Sequence, residues 1–73
     1  MKFEKKGMQC VDTFEITNKE TGKVSTLCEV HDPETKKNET FFLNQRDSRI
    51  PEKLEEIDIV LEKNGRFYSL IVL

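Results

Sequence analysis

Seventy-three residues carrying 12 basic and 14 acidic side chains, a net charge of −2, exclude a strongly basic nucleic-acid binder, though not a local basic patch. Alanine and tryptophan are absent while Val, Ile and Thr together number 16, so the composition favours strands over helices. No apolar run reaches the ~18 residues of a membrane-spanning helix, and a single domain of this size is marginal enough for any extra burial to matter.

In chain order, Met1 to Gly7 ("MKFEKKG") reads as a short charged lead. "MQCVDTFEIT", Met8 to Thr17, is the first strand, and "KVSTLCEVHD", Lys23 to Asp32, is the second. Between them, Glu20-Thr21-Gly22 reads as the loop, with Gly22 supplying a positive φ. Setting Lys19 opposite Lys23 pairs Ile16 with Thr26, Phe14 with Cys28 and Asp12 with Val30. The expected core face is then Ile16, Phe14, Cys28 and Val30.

Pro33 ends the second strand, and "PETKKNE" is a longer loop with a bend at Asn38. "TFFLNQ", Thr40 to Gln45, is the third strand. "RDSRIPEKLEE" breaks the alternation: Ser48 can cap, Pro51 suits a first turn, and Ile50 and Leu54 are four apart. One or two turns of helix over about Arg49–Glu56 are expected, with both apolar residues inward.

The closing stretch "DIVLEKNGRFYSLIVL" reads as a hairpin on a type I′ Asn64-Gly65 turn. Lys63 then faces Arg66, Leu61 faces Tyr68, Ile59 faces Leu70 and Ile57 faces Val72, giving one wholly apolar face. The other face carries Val60, Phe67, Ile71 and Leu73 among polar residues. A terminal strand also tends to leave an edge unpaired. Val60, Ile71 and Leu73 are therefore the expected homodimer interface, unless Phe3 folds back across the patch.

The order β-β-β-α-β-β over residues 1–73 is that of the OB-fold, a five-stranded Greek-key barrel. The competitors are an SH3-like barrel and, third, a two-layer sheet with one helix. The long first hairpin, the Pro51 linker and the closing "NGRFYSLIVL" resemble the small OB-fold single-strand-binding proteins of phages and mobile elements. That resemblance implies single-stranded DNA or RNA held in a groove by basic and aromatic side chains, often by a dimer.

Candidate phosphate contacts are the loop cations Lys19, Lys23, Arg46, Arg49, Lys63 and Arg66, with Lys36 and Lys37 in the second loop. Candidate stacking rings are one of Phe41 and Phe42, with Phe42 preferred, and Phe67. Phe14 and Tyr68 read as core. Cys10, Cys28 and His31 fall short of the four ligands a zinc site wants. In the expected register Cys10 lies roughly 13 Å along the strand from Cys28's partner, too far for a disulfide. No phosphate loop, nucleophile elbow or paired acid–base signature appears, so no enzyme and no cofactor is expected. Two cysteines without a secretory signal suggest a cytoplasmic protein with reduced thiols. The rival to nucleic-acid binding is a protein-binding module, an adaptor or an inhibitor of a host protein.

Overall fold

The computed structural model describes residues 2–73 and forms them into β1 (Lys2–Thr17), β2 (Val24–Asp32), β3 (Lys37–Leu43), β4 (Glu56–Asn64) and β5 (Phe67–Val72). These close into a mostly β, five-stranded barrel in the order β1-β2-β3-β5-β4, with β1 returning to β4. Every neighbouring pair is antiparallel except β3–β5, which is parallel and brief, joined at Phe42↔Ser69 and Leu43↔Leu70. The terminal strand is therefore not an edge strand: β5 lies between β4 and β3, although β3 covers it at only those two pairs.

β1 closes the barrel because it is 16 residues long and serves two partners. Its first half pairs with β4 from Lys2↔Glu62 to Gln9↔Glu56, and its second half with β2 from Gln9↔His31 to Thr17↔Val24. Turning between them takes two register breaks, one between Lys5 and Met8 and one between Cys10 and Asp12. Gly7 sits in the first with φ 71°, a conformation that favours glycine, and its N–H donates to Asp58 Oδ1 at 3.1 Å. Val11 is the extra residue of the second, a bulge. The expected N-terminal lead is thus strand, and Phe3 lies opposite Leu61 rather than across the Val60–Ile71 patch.

The core consists of Met8, Cys10, Cys28, Val30, Leu43, Ile57, Ile59, Leu61, Leu70 and Val72, with Phe41 packed against it. Cys10 lies diagonally across from Cys28, with the sulfurs 3.8 Å apart. The expected 13 Å separation fails because the register differs and the Val11 bulge shortens the path along β1.

The β1–β2 register departs from expectation by one residue. Asn18, not Lys19, opens the turn: its N–H donates to the Lys23 carbonyl and its own carbonyl accepts from Gly22 N–H, both at 2.8 Å. Phe14 therefore pairs with Leu27 and Ile16 with Ser25, and both Phe14 and Ile16 stand on the outer surface. The last hairpin slips by two. Asn64 pairs with Phe67 and Leu61 with Leu70, leaving Gly65-Arg66 as the turn. Gly65 alone takes a positive φ, 64°, as in a type II′ turn, and Asn64 is spared the left-handed conformation that type I′ would demand. The slip is even, so the expected core face survives except for Tyr68, which reaches the open barrel mouth.

β3 starts at Lys37, three residues before the expected Thr40, because the preceding loop is tight: Lys36 N–H reaches the Asp32 carbonyl at 2.7 Å. Asn38 is a strand residue opposite His31, not a bend.

No helix forms between β3 and β4. Asn44 caps a single turn, its Oδ1 accepting from Arg46 and Asp47 N–H at 2.9 and 3.2 Å. Ser48, expected as a cap, instead accepts from Val72 N–H at 2.8 Å. Leu54 takes φ 68° so that its N–H meets the Cys10 carbonyl at 2.7 Å, while Cys10 N–H meets the Glu55 carbonyl at 2.8 Å. The segment thus satisfies backbone groups of β1 and β5 as well as a few of its own. Pro51 is buried, while Ile50 and Leu54 are exposed, the reverse of the helical expectation. Among the described residues, no helix is long and apolar enough to cross a membrane.

Candidate nucleic-acid interface

Pairing aligns outward side chains of several strands into one row. Phe14 on β1 lies opposite Leu27 on β2, Leu27 opposite Phe42 on β3, and Phe42 beside Ser69 on β5. Phe14 is 44% exposed and Phe42 40%; Phe67, two residues before Ser69, is 67% exposed. Phe42 and Phe67 line a cleft of about 310 Å³ with Asn64, Tyr68 and Ser69. The Ser69 hydroxyl oxygen is buried there without a hydrogen-bond partner. Three rings thus share one outer face, held by strands whose opposite side chains are core.

Cations bracket this row. Lys19 and Lys23 belong to the β1–β2 loop, four or more residues from Leu27, which is roughly 13 Å along the strand. Arg46 follows β3 at the same end, where Gln45 Nε2 donates to the Val24 carbonyl at 3.2 Å. Arg66 sits in the β4–β5 turn at the opposite end, next to Phe67. The ion pairs among the described residues are Lys2–Glu62, Lys5–Asp32 and Arg49–Glu55, so these four cations are outside them.

Two expected contacts belong elsewhere. Arg49 is held by a fork of hydrogen bonds to Glu55, Nη1 to Oε1 at 3.1 Å and Nη2 to Oε2 at 2.6 Å, and its Nε donates to the Leu73 carbonyl at 3.1 Å. The guanidinium draws the Glu55 carboxyl down to about 2. Arg49 is therefore a strut between the β3–β4 segment and the end of β5. Lys63 pairs with Tyr68 on the inward side, its Nζ 5.8 Å from the ring centroid, and belongs to the open mouth of the barrel. That mouth holds a second recess of about 300 Å³ between Phe3, Phe41, Leu61 and Tyr68.

On one flank the aromatic row meets acid: Asp12 pairs with Glu29, and Glu29 with Thr40. Glu29 accepts from Asn38 Nδ2 at 3.2 Å, and Asn38 Oδ1 contacts His31 Nδ1 at 2.6 Å. His31 thus faces outward in a polar ladder, away from the two core cysteines.

Val60 and Ile71 pair with each other on the outer face of β4–β5, half-buried, and Leu73 is exposed beside them. Glu4 pairs with Val60, and Glu62 lies two residues further along β4.

Phe14 and Leu27 are the members of the row that sequence reasoning missed. The signal for them was Asn18, a turn-forming residue one position before Lys19, the expected flank of the loop. No protein-family model, no curated protein and no solved structure matches this chain.

Proposed function

We propose that this chain is an OB-type barrel that binds single-stranded nucleic acid without catalysis, across the outer face of β1, β2, β3 and β5. Strand order 1-2-3-5-4 with a parallel closing pair supports the OB reading over an SH3-like barrel. In OB barrels the face of the second and third strands, with the 1–2 and 4–5 loops, receives oligonucleotides or oligosaccharides. Bases stack on Phe14, Phe42 and Phe67, while Lys19, Lys23, Arg46 and Arg66 take phosphates.

The observation that carries this reading is the Phe14–Leu27–Phe42 row with unpaired cations at both ends. Flat rings at strand spacing suit bases, each stacking contact contributing ~1–3 kcal/mol whatever the sequence. A duplex would hide those base faces.

Titration of a fluorescent single-stranded oligonucleotide at two salt concentrations tests this. Four phosphate contacts give a log–log salt slope of about −3, hence roughly 50-fold weaker binding when salt rises fourfold. Absence of binding at ~50 mM salt, where counterion release favours it most, rejects the proposal. The exposed aliphatics Ile16 and Val24 beside the row favour a protein ligand as the second reading. Such an interface would be far less sensitive to salt. Self-association through Val60, Ile71 and Leu73 remains part of the proposal, now resting on that patch alone, and light scattering at high micromolar concentration decides it.

A further inference from the structure

Two thiols lie in the middle of the barrel with no use in nucleic-acid binding. Cys10 on β1 and Cys28 on β2 have no accessible surface, are 18 residues apart in sequence, and hold their sulfurs 3.8 Å from one another. Cys28 points into the core by alternation with Thr26 and Val30, and Cys10, opposite Val30, does so just before the Val11 bulge breaks the β1 register. Direct strand pairing joins Cys10 to Val30 and Thr13 to Cys28. The thiols therefore meet on a diagonal, where cross-strand side chains still reach one another.

We propose that Cys10 and Cys28 are a redox pair that closes to an intramolecular disulfide, cross-linking β1 to β2 at the bulge. A bond length of about 2.05 Å requires the sulfurs to approach by a little under 2 Å. The register is already broken beside Cys10, and bulges are the positions where a strand bends. That is where such an adjustment strains the ladder least.

The oxidant is a low-molecular-weight disulfide. One cysteine, deprotonated, attacks a sulfur of the oxidant, forming a mixed disulfide and releasing one thiolate. The second cysteine, deprotonated, attacks the cysteine sulfur of that mixed disulfide, forming the Cys10–Cys28 bond and releasing the second thiolate. Two protein thiols lose two electrons and two protons, and the oxidant becomes two thiols. Burial pushes both cysteine thiols up, Cys28 to about 12, so the closed barrel keeps them protonated and slow to react. Reaction passes through local opening of β1 from β2. As the strands re-pair, the resolving thiol is the neighbour that the closed barrel holds at 3.8 Å.

Oxidation of the folded wild type with oxidised glutathione, followed by intact mass and tryptic mapping, tests the proposal. Trypsin separates the two cysteines, since Lys19 and Lys23 lie between them. The expected product has lost two hydrogens and yields one linked Cys10–Cys28 peptide pair. Its Tm is raised by about 10 °C through loop closure in the unfolded chain, and dithiothreitol reverses both changes. Cys10→Ala and Cys28→Ala should each give a glutathione adduct or no reaction. Persistent glutathione adducts on the wild type, interchain dimers, or a disulfide that forms only in denaturant would each overturn it. None of these outcomes depends on whether the outer face binds nucleic acid.

Discussion

The first and last hairpins of this barrel teach different lessons about register. Both turns contain a glycine at positive φ, Gly22 at 73° and Gly65 at 64°. Both form a register other than the one their turn residues suggest. In the last hairpin the shift is two residues, so Ile59, Leu61, Leu70 and Val72 stay in the core with new partners. In the first it is one residue, and Phe14 and Ile16 pass from the expected core to the outside. Side chains alternate with period two, so parity, not the size of the slip, decides which residues a strand buries. The candidate site is a consequence of the odd slip, because Phe14 joins the row only on the outer face.

Truncation in the two hairpins separates those roles most strongly. Ile59→Ala or Leu70→Ala removes buried carbon atoms from fully buried side chains and should cost about 2–5 kcal/mol. In a domain with about 5 kcal/mol in total, that approaches unfolding. Phe14→Ala should cost well under the ~3–5 kcal/mol of a buried phenylalanine. Urea melts of the three variants test the comparison, and a Phe14→Ala barrel as unstable as Leu70→Ala would return Phe14 to the core.

The same substitution should matter for binding instead. Phe14→Ala and Phe42→Ala should each weaken single-stranded DNA by about 1–3 kcal/mol, roughly 5- to 150-fold. Arg49→Ala should leave the salt slope unchanged, because that guanidinium is engaged by Glu55 and the Leu73 carbonyl. Arg66→Ala should flatten the slope by about 0.7, the value of one phosphate contact. Equal salt slopes for Arg66→Ala and wild type would remove the β4–β5 turn from the interface.

The turns themselves give a smaller contrast. Gly65→Ala places a Cβ on a residue at φ 64° and should cost about 1 kcal/mol, although nothing stands in the way of that atom. Asn64→Ala should cost only a few tenths of a kcal/mol, since only a type I′ turn would hold Asn64 left-handed. Comparable losses in chemical denaturation would restore the Asn64-Gly65 turn.

Much of the barrel was legible because it depends on alternation. Four of the five strands lie near their expected positions, and the β4–β5 core face follows from Ile and Leu at every second residue. The Ile50 and Leu54 spacing pointed to a helix because local spacing is all a linker displays. The cause of its irregular path is distant: the Val11 bulge turns the Cys10 backbone groups toward Leu54 and Glu55, which answer them. Arg49 was misplaced for a related reason. Its partner Glu55 is six residues away, a separation that neither a helix nor a strand would make a contact, and only the folded loop brings them together.

That loop ion pair supplies the smallest predicted effect. Glu55 is drawn down from its ordinary 4.5 to about 2, chiefly by the Arg49 hydrogen bond and then by Glu52 N–H, which donates to Oε1 at 2.9 Å. A carboxyl that ionises more readily in the folded chain contributes stability wherever it is charged in both states. The contribution is complete above about 4.5 and fades as pH falls toward about 2. Both side chains are substantially exposed, so solvent screens the pair and the effect on Tm should be slight. Glu55→Gln should flatten the fall in Tm below the ordinary carboxyl range while leaving its neutral-pH shape intact. Lys53→Gln, with no ion pair among the described residues, should leave the acid limb steep. If Glu55→Gln and wild type lose Tm equally between pH 4.5 and pH 2, the β3–β4 segment is not braced by this contact. Its path would then rest on its hydrogen bonds to β1, β2 and the β5 end, those of Cys10, Gln9, Val24, Val72 and Leu73 among them.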